Sequence, residues 1–75
     1  MDYSEECKYQ VERHLQENKV DTSVFSKEMI SQIEANYYKN YYSYDMDEEY
    51  AARAAVSEVI VSNHIPVKGY EIWLP

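Results

Sequence analysis

Cys7 and His14 stand seven residues apart, two turns of a helix, and therefore share one helical face. A thiol beside an imidazole is the start of a nucleophilic pair, in which the ring takes the proton and the thiolate attacks. Such a pair also needs a group to orient the ring and donors for an oxyanion, and no motif in the chain supplies either. Cys7 therefore reads as a small core residue. Zinc demands four ligands, and one Cys with His14 and His64 falls short unless carboxylates join them. Asp45, Asp47 and Glu49 match the first, third and fifth positions of a calcium loop. The sixth position, where that loop turns on Gly, is Tyr50, and the twelfth, where it needs Glu, is Val56. Acids at the start of a helix, stabilised by its dipole, account for them better. Glu48, Glu49 and Glu58 could be imagined as a general acid and base, but no His-acid pattern accompanies them. With a single Gly there is no phosphate-cradling loop. The expectation is a protein that is not an enzyme and holds no metal or cofactor.

The charge balance narrows the choice of partners. Fourteen Asp and Glu oppose seven Lys and Arg, a formal charge of -7. That field repels nucleic-acid phosphates and anionic membranes and attracts basic surfaces. Direct nucleic-acid binding would need clustered cations, yet Lys8, Arg13, Lys19, Lys27, Lys39, Arg53 and Lys68 are scattered. The N-terminal MDYSEECKYQ lacks the apolar run of a signal peptide, and no segment approaches the roughly 20 apolar residues that span a bilayer. One Cys excludes an internal disulfide and suits a reducing, cytoplasmic location.

Seventy-five residues with 45% apolar content make one domain, 1–75, with a thin core. The near absence of Gly and Pro favours a few long helices: a mainly α fold, a small three-helix domain with a C-terminal extended segment or short hairpin packed on it. Tyr3, Cys7, Val11 and Leu15 form the stripe of a first helix, with Asp2 and Glu5 as its capping box. A second helix is predicted from about 22 to 42, capped by Asp21 and stapled by Val20 and Phe25, its inward stripe Phe25, Met29, Ile33, Tyr37 and Tyr41. A third, from about 46 to 62, starts at Asp45 with Glu48 three residues on. It is apolar on two sides: Ala52, Ala55, Val56, Val59 and Ile60 on one, Met46, Tyr50, Ala54 and Val61 on the other. Asn63 ends it, and His64 suits its C-terminal dipole. The tail alternates around Tyr70, Ile72 and Leu74, as a strand does, with Lys68-Gly69 as a turn.

What folding does not absorb is part of residues 37–50, YYKNYYSYDMDEEY, six tyrosines and four acids in fourteen positions. Tyr37, Tyr41 and Tyr50 continue helical stripes, whereas Tyr38 and Tyr42 fall about 100° further round. Tyrosine is a rigid contact residue with little entropy to lose, and neighbouring acids select a basic partner. The expected binding surface is Tyr38, Tyr42, Tyr44, Asp45, Asp47, Glu48 and Glu49, with Trp73 as a further anchor or a core plug. It points to a protein-binding regulator or inhibitor that docks on a basic site, including one built for nucleic acid, of another protein. In size, acidity and lack of motifs the chain resembles the small phage proteins that block restriction or CRISPR enzymes, a likeness of composition alone. The rival is a structural subunit, a homodimer or part of a larger complex, in which these tyrosines and the tail are buried.

Overall fold

The computed structural model describes residues 3–74. Three helices, α1 (Tyr3–Glu17), α2 (Lys27–Tyr38) and α3 (Glu48–Ser62), pack around one core, and an extended C-terminal segment lies against them. The predicted class is thus observed. Among the described residues there is no strand, and no helix is long and apolar enough to cross a membrane. The predicted cap at Asp2 lies outside the described residues.

The inward stripes follow the four-residue spacings. Cys7, Val11 and Leu15 of α1, Ile33 and Tyr37 of α2, and Ala52, Ala55, Val56, Val59 and Ile60 of α3 are all buried, with Phe25 beside them. Four alanines in the first half of α3, Ala51, Ala52, Ala54 and Ala55, are buried too, and their small side chains let neighbours approach its backbone. Asn36 and Asn40 exploit that approach: Asn36 Nδ2 donates to Ala55 O at 3.4 Å and Asn40 Nδ2 to Ala51 O at 3.2 Å. Two amides four residues apart thus meet two carbonyls four residues apart. The stripe of α2 is partly polar, which a count of apolar residues alone misses. The second apolar side of α3 is covered only in part, since Ala54 is buried while Tyr50 and Val61 stay exposed.

The predicted helix starts are displaced, each for a local reason. Asp21 does not cap α2. Its Oδ1 accepts from Ser23 N at 3.0 Å and from Ser23 Oγ at 2.7 Å, closing a single 3-10 turn, Thr22–Val24. Such short-range bonds compete with helix. Phe25 then leaves helical geometry at φ -105, ψ 133, and Ser26 becomes the cap, its Oγ accepting from Met29 N at 3.1 Å. Val20 and Phe25 pack on the core without the predicted staple. Asp45 does not cap α3 either, because it adopts φ 59, and a cap requires extended backbone. Asp47, at φ -70 and ψ 164, supplies it, accepting from Tyr50 N at 3.1 Å.

Between α2 and α3 the chain widens into a π turn, Lys39–Ser43, closed where Tyr44 N donates to Lys39 O at 3.1 Å. The other helix ends repeat one device. After α1, Val20 N donates to Leu15 O and Lys19 N to Gln16 O, with Lys19 at φ 56. After α3, Ile65 N donates to Ile60 O and His64 N to Val61 O, with His64 at φ 53. Both are Schellman closures in which Lys and His hold the left-handed position usually given to Gly. Asn18 and Asn63 complete them, each donating its Nδ2 to the carbonyl four residues back, His14 O at 2.8 Å and Val59 O at 2.9 Å.

The tail departs from its predicted alternation. The turn at Lys68-Gly69 forms, with Gly69 at φ 72, but no hairpin follows. Tyr70 is buried, whereas Ile72 and Leu74 are 43% and 51% exposed. With no partner strand to impose a period of two, the segment is held by single contacts to side chains of α1 and α3.

Candidate functional site

Two clusters carry the polar chemistry of the molecule, and they meet at Glu49. The inner one is built on His14, which is 3% exposed. Its Nε2 lies 2.7 Å from Tyr70 Oη, and its Nδ1 lies 3.3 Å from Asn18 Nδ2 and 3.8 Å from Glu49 Oε1. Arg53 Nη2 donates to Asn18 Oδ1 at 3.0 Å, which fixes that amide with its nitrogen toward the ring. The assigned amide makes Nδ1 the acceptor and leaves the proton on Nε2, which donates to Tyr70. Burial lowers the ring's affinity for a second proton and Arg53 lowers it further, against the opposing charges of Glu49 and Glu17. His14 is held neutral.

Arg53 joins the pieces. Its Nη1 donates to Glu71 O of the tail at 2.8 Å, its guanidinium lies 4.9 Å from the centre of the Tyr70 ring, and Nη2 is 3.6 Å from Glu49 Oε1. Glu49 stands four residues before Arg53 on α3, but most of the work of Arg53 is to bind other elements. Burial pushes the Tyr70 phenol up to about 12, against the lowering effect of the Arg53 charge. Trp73 N donates to Ser57 Oγ at 2.9 Å. Among the described residues every buried side-chain nitrogen and oxygen has a partner. Both ring nitrogens of His14 are taken by Tyr70 and Asn18, and Cys7 is the small core residue that its sequence position suggests. Burial also pushes the Cys7 thiol up, with Glu34 and Glu6 adding to it.

The outer cluster is an open cleft of about 480 Å³ between α1 and the start of α3. Gln10, Arg13, His14 and Glu17 line one side, Asp47, Glu48, Glu49 and Ala52 the other, and Tyr41 forms an aromatic wall. Arg13 is engaged with Glu17 at 3.1 Å on the rim. Asp47, Glu48 and Glu49 thus face solvent together, a concave anionic surface that attracts cations.

The predicted tyrosines adjoin that wall. Tyr41 stacks on buried Tyr37 with ring centres 5.7 Å apart, and Tyr42 meets Tyr41 edge to face at 4.8 Å. Tyr38 lies 4.9 Å from Tyr42, and these two are 43% and 39% exposed. A continuous series of rings therefore runs from the core to the surface. Tyr44, at 61%, is the most exposed of them, and Asp45 follows it on the bend before α3. Trp73 belongs to a different pair: half-buried, it rests on Tyr50 with ring centres 5.3 Å apart.

Tyr41 as the link between ridge and cleft, and His14 with Tyr70 as a polar core, are the features that sequence reasoning missed. Asn18 four residues after His14 is a faint sign of the second. Among the described residues no group of three or more His, Cys, Asp or Glu is placed to hold a metal ion. Comparison with protein-family models, with curated proteins and with solved structures found no match to this chain.

Proposed function

We propose that the protein is a non-enzymatic regulator or inhibitor that docks its tyrosine ridge and acidic cleft on a basic surface of another protein, of the kind that binds nucleic acid. The observation that carries this reading is the exposed Tyr38 and Tyr42 pair, linked through Tyr41 to a cleft walled by Asp47, Glu48 and Glu49. Adjoining tyrosine rings present a large contact area at low entropic cost, and the acids raise the rate of encounter with a cationic face. Carboxylates on a helix start can stand where phosphates would bind. The test is capture from the native host with wild type and with the double variant Tyr38→Ala, Tyr42→Ala. A basic protein retained by the wild type, displaced by duplex DNA and lost with the folded variant supports the reading. An association rate unchanged between about 0.05 and 0.5 M salt removes its electrostatic half.

A second reading rests on a different observation. Tyr50, Val61, Ile72 and Leu74 remain exposed after the tail has docked, apolar surface that a homo-oligomer could bury. Sedimentation that stays monomeric from micromolar to sub-micromolar concentration rejects an obligate dimer.

A further inference from the structure

Among the described residues after Ile60, Tyr70 alone is buried. The tail's other attachments are modest: Ile65 and Val67 pack partly on the core, Trp73 rests on Tyr50, and one backbone bond each reaches Arg53 and Ser57. Tyr70 is therefore the principal fastening of this segment. Its hydroxyl meets Nε2 of His14 at 2.7 Å, and the rings lie edge to face, centres 5.8 Å apart.

We propose that residues 67–74 form a strap that proton uptake at His14 releases, while the three-helix body stays folded. The neutral ring fits its site because each nitrogen has the partner it needs. A second proton would go on Nδ1, where it faces the Asn18 amide nitrogen, itself a donor locked in that direction by Arg53. The charged groups around the ring divide. Arg53 of α3, 4.9 Å from the covering Tyr70 ring, opposes a cation, whereas Glu49 of α3 and Glu17 of α1 favour one. Glu49, at 3.8 Å, is beyond good hydrogen-bond range of Nδ1. Releasing Tyr70 exposes Nε2 to water, in addition to the edge of the ring that already lines the cleft.

The sign follows from linkage. With the strap docked, burial keeps the proton affinity of His14 below its ordinary value of 6.5, and with the strap off it returns toward that value. The released form binds more protons, so it gains as pH falls through about 6.5, and the gain levels off once the docked ring also titrates. The ratio of released to docked forms rises tenfold for each pH unit separating the two proton affinities.

The chain's single Trp, Trp73, lies in the strap and reports its position. On lowering the pH from 7.5 to 5, Trp73 emission should shift to the red with a midpoint below 6.5, while far-UV circular dichroism keeps its helical signal. His14→Gln, which retains a donor for Tyr70 but does not titrate in this range, should hold the emission constant. Emission that follows pH equally in that variant overturns the proposal, as does helix loss in the same transition. Should His14→Gln fail to fold, NMR titration of the wild type decides. Coincident midpoints for the His14 ring and the protection of the Trp73 amide support the strap, and separate midpoints reject it.

Discussion

Tyr70 and Tyr42 carry the same phenol, and the chain uses it in opposite ways. Tyr70 is 8% exposed, its hydroxyl bonded to His14 and its face covered by Arg53, so every polar atom is satisfied within the molecule. Tyr42 is 39% exposed and lies between two other tyrosine rings on a ridge that faces water. The difference is not in residue type or local sequence. It lies in how far distant elements cover the ring. A buried tyrosine bonded to a residue far along the chain becomes a fastening, and one left half exposed among neighbouring rings offers contact surface.

Two adjacent positions should differ most. Tyr37 is 1% exposed and Tyr38 is 43% exposed. Tyr37→Ala should cost about 3–5 kcal/mol, a cavity in the core, measured from the midpoint of urea unfolding at unchanged slope. Tyr38→Ala should cost no more than about 1 kcal/mol, mainly the loss of one aromatic pair. Equal costs would mean that the ridge is core.

Arg53→Met tests the inner cluster at a smaller scale. It keeps an apolar stem but removes the bonds to Glu71 O and Asn18 Oδ1 and the contact with the Tyr70 ring. A loss of about 2 kcal/mol is expected, with the exchange of tail amides speeding up more than that of α3 amides. Uniform acceleration would show that Arg53 supports the whole fold rather than the tail.

The smallest effect sharpens the outer cluster. Tyr44→Ala, at the most exposed ring, should change stability by no more than about 0.5 kcal/mol by the same unfolding measurement. A cost above about 1 kcal/mol would show that the ridge is held together cooperatively out to Tyr44.

The three helices were legible because apolar side chains at spacings of four need only one face to bury, and Cys7, Val11, Leu15, Ile33 and Tyr37 obey that rule. The exposure of Tyr38 and Tyr42 was legible for the same reason. Which acid caps which helix was not. Asp21, Asp45 and Asp47 are alike as residues, and the choice depends on a 3-10 turn that occupies the first and a left-handed backbone that disqualifies the second. Asn36 and Asn40 are polar in composition, and only the alanine face of α3 makes them interior. His14 and Tyr70 are 56 residues apart, and nothing local announces their bond. The cleft was half legible: its acids stand out in the sequence, whereas Tyr41, its aromatic wall, falls on the inward stripe and reads as core.

The π turn at Lys39–Ser43 has a consequence for how this protein can vary. A turn closed from residue 44 to residue 39, instead of to 40, accommodates one more residue than an α-turn, so it is equivalent to a single-residue insertion absorbed without a loop. Deleting one residue from it should restore α-helical winding and rotate everything downstream by about 100° relative to α2. Asn40 would lose Ala51 O, and the ridge would turn away from the cleft. Related sequences that keep the length of this segment would preserve the surface even as its individual tyrosines change, and those that lose a residue there would have to find another use for it.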